Sequence, residues 1–223
     1  MHLPFTIEQF LDVFRRYNEA VWPVQWVLAA VGVIVILLAL RGERRASRWV
    51  SVLLAMLWFW MAIAYHLTFF ADLGRVGIVF GLAFGMQGAL FSWLAVRRQV
   101  TSYRPRSVAA MSIGAVLIAY ALILYPMLGS LWGHRYPASP TFGVPCPTTI
   151  FTLGLIVWAG GWMPRRLLIV PLGWAVVGTS AAANLGMTED FGLLGAAILT
   201  AGVLVGAKHR AAFSGHRATA PAR

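Results

Sequence analysis

Seven side chains in this sequence combine ligand-holding chemistry with a position at the border of a long apolar run: Tyr65, His66, His134, Tyr136, Cys146, Glu189 and Asp190. Thiolate and imidazole suit Cu(I), Zn(II) or Hg(II), which makes His66, His134 and Cys146 candidate metal ligands. Their spacing gives no local support, since structural metal motifs pair ligands two to four residues apart and these come from separate segments. Glu189 and Asp190 would attract a cation, and Tyr65 and Tyr136 would contribute hydroxyls. Cys146 enters a segment Pro-Cys-Pro-Thr-Thr, where Thr148 or Thr149 can cap a new helix whose positive end favours thiolate. Each residue also has a plain structural role. A histidine in a span can simply bond to a carbonyl, and a lone cysteine behaves as a small apolar side chain.

Several chemistries lack the residues they need. A single Cys rules out an internal disulfide, a four-Cys zinc site and an iron–sulfur cluster built by this chain alone. His66 is the only histidine inside an apolar run, so there is no haem pair. The only lysine, Lys208, follows the last run, so there is no retinal lysine. A triad of Cys146, His134 and Asp72 or Glu189 draws on three segments without a local motif, which makes a non-enzyme the better reading. The cofactor stays unknown at this level.

The elements that must position these groups are membrane spans. Apolar runs at roughly 21–40, 49–71, 76–96, 108–131, 148–163, 167–185 and 191–207 mostly reach the 17–25 residues that cross a hydrocarbon core. Mean hydropathy is +0.75 and only 11% of residues are charged, a composition suited to a bilayer. The expected fold is all-α: a polytopic bundle of seven transmembrane helices with an N-terminal amphipathic interfacial helix. Its parts are an external helix at 1–20, the transmembrane domain at 21–207 and a disordered cytoplasmic tail at 208–223. The first run lacks a convincing small-residue cleavage site and should remain as an anchor.

Fourteen of the eighteen Lys and Arg, among them Arg41, Arg44, Arg98, Arg106, Arg166 and Arg223, fall in alternate gaps, and six of the seven Asp and Glu fall in the others. The positive-inside rule then puts the N-terminus outside and the C-terminus in the cytoplasm of a bacterial inner membrane. The net charge of +11 is divided among short turns, which fits anionic lipid and not nucleic acid.

Finer signals follow. Thr6 and Gln9 have capping-box spacing. Gly77, Gly81, Gly85 and Gly88, and again Gly202 and Gly206, form small-residue seams for helix contact. Tyr125-Pro126 should bend the fourth run. The connection 131–147, with Pro137, Pro140, Pro145 and Pro147, reads as a rigid cap holding side chains over an outer vestibule.

Gly133–Pro137, Thr141–Gly154, Glu189–Leu193, Pro4-Phe5-Thr6, Tyr17–Pro23 and Tyr65-His66 together resemble a bacterial integral-membrane family known only as a domain of unknown function. The resemblance covers nearly the whole chain and implies no chemistry. The residues themselves point to a transporter or binding protein for a small solute or metal ion, with its site at the outer face. The alternative is an accessory subunit of a larger respiratory, photosynthetic or transport complex. Partners are thus the lipid bilayer and either such a complex or a second copy.

Overall fold

The computed structural model of the chain describes residues 5–97, 102–159 and 163–218, with no side-chain detail for 208–218. Arg98 and Arg223 of the basic pattern, and the outermost ends of the expected domains at 1–4 and 219–223, lie outside the described residues. Within them the protein is all-α. Its helices are α1 (Ile7–Ala20), α2 (Val24–Arg41), α3 (Arg44–Trp60), α4 (Val76–Val96), α5 (Val108–Ala119), α6 (Tyr125–Leu131), α7 (Pro145–Ala159), α8 (Ile169–Leu185) and α9 (Phe191–Ala218). α9 therefore continues past the boundary expected at 207.

Six helical stretches are long and apolar enough to cross a membrane: Val24–Arg41, Arg44–Leu67, Val76–Val96, Val108–Leu131, Arg165–Leu185 and Thr188–Ala207. The sequence suggested seven. The run expected as the fifth span appears as α7, whose 15 described residues are all buried. At 1.5 Å per residue its described part is about 22 Å long. Its apolar character all round follows from its place at the centre of the bundle, where protein replaces lipid on every side.

Two of the crossing stretches change pitch on the way. α3 widens into a π-helical segment at Met61–Leu67, marked by the Thr68 N–H donating to Ile63 O at 3.1 Å. α5 passes through a π-helical segment at Tyr120–Leu124 before α6. Pro126 has no N–H to continue the regular ladder, so the backbone bonds rearrange just ahead of it.

The glycine stripe of α4 is a real seam. A Cβ at Gly77 would lie 2.6 Å from the Ala71 backbone, at Gly81 2.5 Å from Leu67 Cδ2, and at Gly88 3.0 Å from Phe59. A Cβ at Gly202 or Gly206 would meet nothing within 4 Å, so the second expected seam is not used among the described residues. Helical spacing marks a flat surface but not what lies against it.

α1 starts at the expected capping box: Thr6 N–H donates to Gln9 Oε1 at 2.9 Å and Gln9 N–H to Thr6 Oγ1 at 3.4 Å. It buries Phe10, Val13, Phe14, Tyr17 and Asn18 on one face. Arg16 pairs with Asp72 at 2.8 Å, tying α1 to the turn between α3 and α4. Trp60 Nε1 donates to the Tyr17 hydroxyl at 2.8 Å. Burial pushes the Tyr17 phenol up to about 12, against the hydrogen bond from Trp60. A raised value means that the neutral phenol stabilises the fold fully below the unfolded value near 10. That contribution disappears as pH rises through about 12. Stability measured by alkaline titration should thus decline between those limits, and Tyr17→Phe should remove this part of the decline.

At the opposite end the basic turns come together. Ser102 Oγ donates to Gly42 O at 3.4 Å, the Ser51 and Tyr103 hydroxyls meet at 3.0 Å, and Arg97 and Arg166 both stack over the Trp93 ring. Acidic connections and α1 thus occupy one end of the bundle and arginine-rich connections the other.

Candidate polar site at the acidic end of the bundle

Gly186, at φ +71°, ends α8, and one turn, Thr188–Asp190, leads into α9. This tight reversal turns two consecutive acidic side chains into the bundle: Glu189 is fully buried and Asp190 is 3% exposed. Buried carboxyls need partners, and here the partners differ. Glu189 Oε1 meets His134 Nδ1 at 2.8 Å, while Glu189 Oε2 has no hydrogen-bond partner. Gly129 makes room for this pair, since a Cβ there would lie 3.1 Å from Glu189 Oε1. The Tyr120 hydroxyl donates to the Glu189 backbone carbonyl at 2.6 Å, fixing the turn.

Asp190 accepts a hydrogen bond from the Tyr125 hydroxyl, and both are buried. The Cys146 thiol lies near Asp190, Tyr125 and Trp174. Its surroundings are acidic, unlike the electropositive settings that favour thiolate at a helix start. Tyr65, 2% exposed, lies near Cys146 and Asp190 and stacks on Phe14 of α1 with centroids 5.7 Å apart. Its neighbour His66 turns instead into an aromatic chamber formed by Phe70, Phe80, Phe84 and Trp174.

The structure therefore brings Tyr65, Cys146, Glu189, Asp190 and His134 to one cluster, with His66 beside it. Tyr136 stays outside: it is half exposed, packs near Trp22 and reaches Asn18 O at 3.5 Å. His134 pairs with Glu189, Cys146 lies by Asp190 and Tyr125, and His66 has no hydrogen-bond partner; no group of three His, Cys, Asp or Glu fit to hold a metal occurs among the described residues.

The loop ahead of α7 folds down and is held by Asn18, whose Nδ2 donates to Pro137 O and Ser139 O, each at 2.7 Å. Thr148 Oγ1 accepts from Gly143 N at 3.0 Å, so the loop is also tied to the start of α7, which opens at Pro145. A proline suits a first helical position because its missing N–H is not needed there.

The sequence marks Tyr120 and Tyr125 as groups that could bond between helices or line a polar path, and gives Asn18, Gly129 and Trp174 no part in the site. Partnership between Tyr125 and Asp190 joins α6 to the turn before α9, and no local spacing announces such a contact. Residues 7–215 match the model of a family of unknown function, DUF6064. No curated protein and no solved structure matches the chain.

Proposed function

We propose that this chain, which belongs to the DUF6064 family of unknown function, is a multi-pass membrane protein that binds and carries a small cation at Glu189 and Asp190. The observation that carries this reading is the unpartnered Glu189 Oε2, fully buried and adjacent in sequence to a second buried carboxyl. Of the two carboxyls only Glu189 pairs with an imidazole, that of His134, and a buried acceptor such as its free Oε2 gains most from a cationic donor. Intramembrane carboxyls lie on ion and proton pathways in many transporters. The ligand class is monovalent and hydrogen-bonding, on the scale of ammonium or methylammonium. Tyr125, Cys146 and Tyr65 would line the inward side, and His134 the outward side.

In the membrane, α7 serves as a seventh, central element surrounded by six crossing stretches. The N-terminus lies outside and the arginine-rich turns lie in the cytoplasm of a bacterial inner membrane, as the positive-inside rule requires.

The test is thermal unfolding of the purified protein in lipid nanodiscs with rising ammonium, methylammonium or sodium. A ligand that binds only the folded form at a hundred times its Kd adds about 2.7 kcal/mol. The expected result is a saturable shift with one of these cations that is absent in Glu189→Gln. A shift of equal size in that variant, or none in the native protein, would sink the reading.

One observation favours a second reading, the accessory subunit. An apolar groove of about 780 Å³ runs between Val24–Val31 of α2, Val52–Trp60 of α3 and Ser92–Val96 of α4. A helix of a larger complex would fit such a face, and gentle extraction that retained a defined partner would favour it over transport.

A further inference from the structure

At the arginine-rich end, one ring holds two cations. Arg97, just past the end of α4, places its guanidinium carbon 4.3 Å from the centre of the Trp93 ring, and Arg166 places its own 3.6 Å from the same ring. A long-range tie builds the second contact. The buried Gln87 of α4 donates Nε2–H to Leu167 O at 3.0 Å, which fixes the turn Arg165–Leu168, ahead of α8, against α4.

Two like charges on one ring lie within roughly 8 Å of each other, about one screening length at physiological ionic strength, so each raises the cost of holding the other. The indole face offsets part of that cost, and an acid would offset more. None is there. No ion pair joins either arginine to an acid among the described residues, and Glu43 is the one Asp or Glu that the sequence places in an arginine-rich connection. Both arginines are exposed. A stacked guanidinium keeps its in-plane N–H donors for an acceptor, and their fork matches a phosphate.

The surroundings indicate which phosphate. A tryptophan at the end of a membrane-scale helix marks headgroup level. Further along, the surface turns apolar and stays exposed: Met86 and Leu82 continue the Trp93 face of α4 at helical spacing, and Ile169 and Val176 share a face of α8. Between those two, Gly173 has no side chain, and a Cβ there would meet nothing within 4 Å. Paired positive charge beside bare hydrocarbon-facing surface is the complement of a phospholipid, whose phosphate and acyl chains are joined in that order. A soluble anion would use only the first half.

We propose that Trp93, Arg97 and Arg166 form a site for an anionic phospholipid, and that its preferred occupant carries two phosphodiesters, the diphosphatidylglycerol class. Each guanidinium is anchored on the ring and binds its own phosphate, while the acyl chains lie along the exposed faces of α4 and α8. The site rests on the multi-pass membrane placement and not on the cation reading.

The experiment takes the full chain in detergent micelles and adds diphosphatidylglycerol, phosphatidylglycerol or phosphatidylcholine. Thermal unfolding reads affinity, and native mass spectrometry counts the lipids retained. The expected result is saturable stabilisation by the two-phosphate lipid, weaker apparent affinity for the one-phosphate lipid and none for the zwitterionic one. Arg97→Gln and Arg166→Gln each weaken the two-phosphate lipid by about tenfold, the loss of one charge-assisted hydrogen bond. Arg45→Gln, at an exposed arginine on α3, is the control and leaves affinity unchanged. All three positions are exposed, so the variants keep the fold. Equal affinity for the two anionic lipids, or an equal loss in Arg45→Gln, would overturn the site and leave only the general attraction of a basic surface. A chain that dissolves without detergent would instead refute the membrane placement, and the site with it.

Discussion

Gly114→Ala is expected to destabilise the protein, although alanine is the better helix former by about 1 kcal/mol. α5 and α7 cross with their backbones nearly touching. A Cβ at Gly114 would lie 2.3 Å from Trp158 Cδ1, 2.4 Å from Trp158 Nε1 and 2.7 Å from Gly154 O, and one at Gly154 would lie 2.9 Å from Gly114 O. The indole cannot simply swing aside, because Trp158 Nε1 donates to Met111 O at 3.1 Å. Overpacking of this kind costs typically about 1–3 kcal/mol, occasionally more, and here it is joined by loss of that hydrogen bond. The clash therefore outweighs the propensity gain. Helix association in a bilayer depends on such close packing, so the whole α5–α7 contact should loosen. Gly195→Ala on α9 is the control, since nothing lies within 4 Å of a Cβ there. Reversible unfolding in mixed micelles should show Gly114→Ala lowered by several degrees and Gly195→Ala unchanged or raised. Equal behaviour of the two variants would refute the close crossing.

What could be read from the sequence was local or compositional. The capping box at Thr6 and Gln9 works over three residues and is present as spelled. The acidic and basic gaps end at opposite ends of the bundle because charge must leave the apolar layer wherever the helices go. The Gly77–Gly88 stripe was legible because a smooth face about three turns long needs only helical period, yet Gly202 and Gly206 carry the same signal and a Cβ there meets nothing among the described residues. Long-range pairing had no such signal. The π-helical segment at Met61–Leu67 contains no proline or glycine to announce it. α7 looked like any span because an apolar row reads alike beside protein and beside lipid. Glu189 and Asp190 were visible as acids, but their burial depends on a turn closed by residues far apart in the chain.

The largest gap in that reading is Asn18, and replacing it should have the largest effect at the site. It is completely buried on α1 and uses every polar atom of its side chain. Nδ2 donates to Pro137 O and Ser139 O at 2.7 Å, and Oδ1 accepts from Thr141 Oγ1 at 2.9 Å and from Gln25 Nε2 at 3.4 Å. Asn18→Ala would leave two half-buried carbonyls and a hydroxyl unsatisfied at up to about 1–3 kcal/mol each. Partial recovery by water, which reaches this end more easily than the bundle centre, limits the expected loss to about 3 kcal/mol. The loss should be local. Hydrogen exchange should rise in the loop 132–144 and in the turn 186–190, while α4 and α7 stay protected. Asn18→Asp separates geometry from volume, because a carboxylate of the same shape can accept from Thr141 but would turn an oxygen towards two carbonyls. It should release the loop as fully as alanine does. Since His134 lies in the connection that Asn18 holds shut, both variants should also weaken the Glu189–His134 pair and admit solvent to Glu189 Oε2. Exchange left unchanged in both would mean that the loop is held by its prolines and by Thr148 alone, and that α1 does not control access to the carboxyl pair.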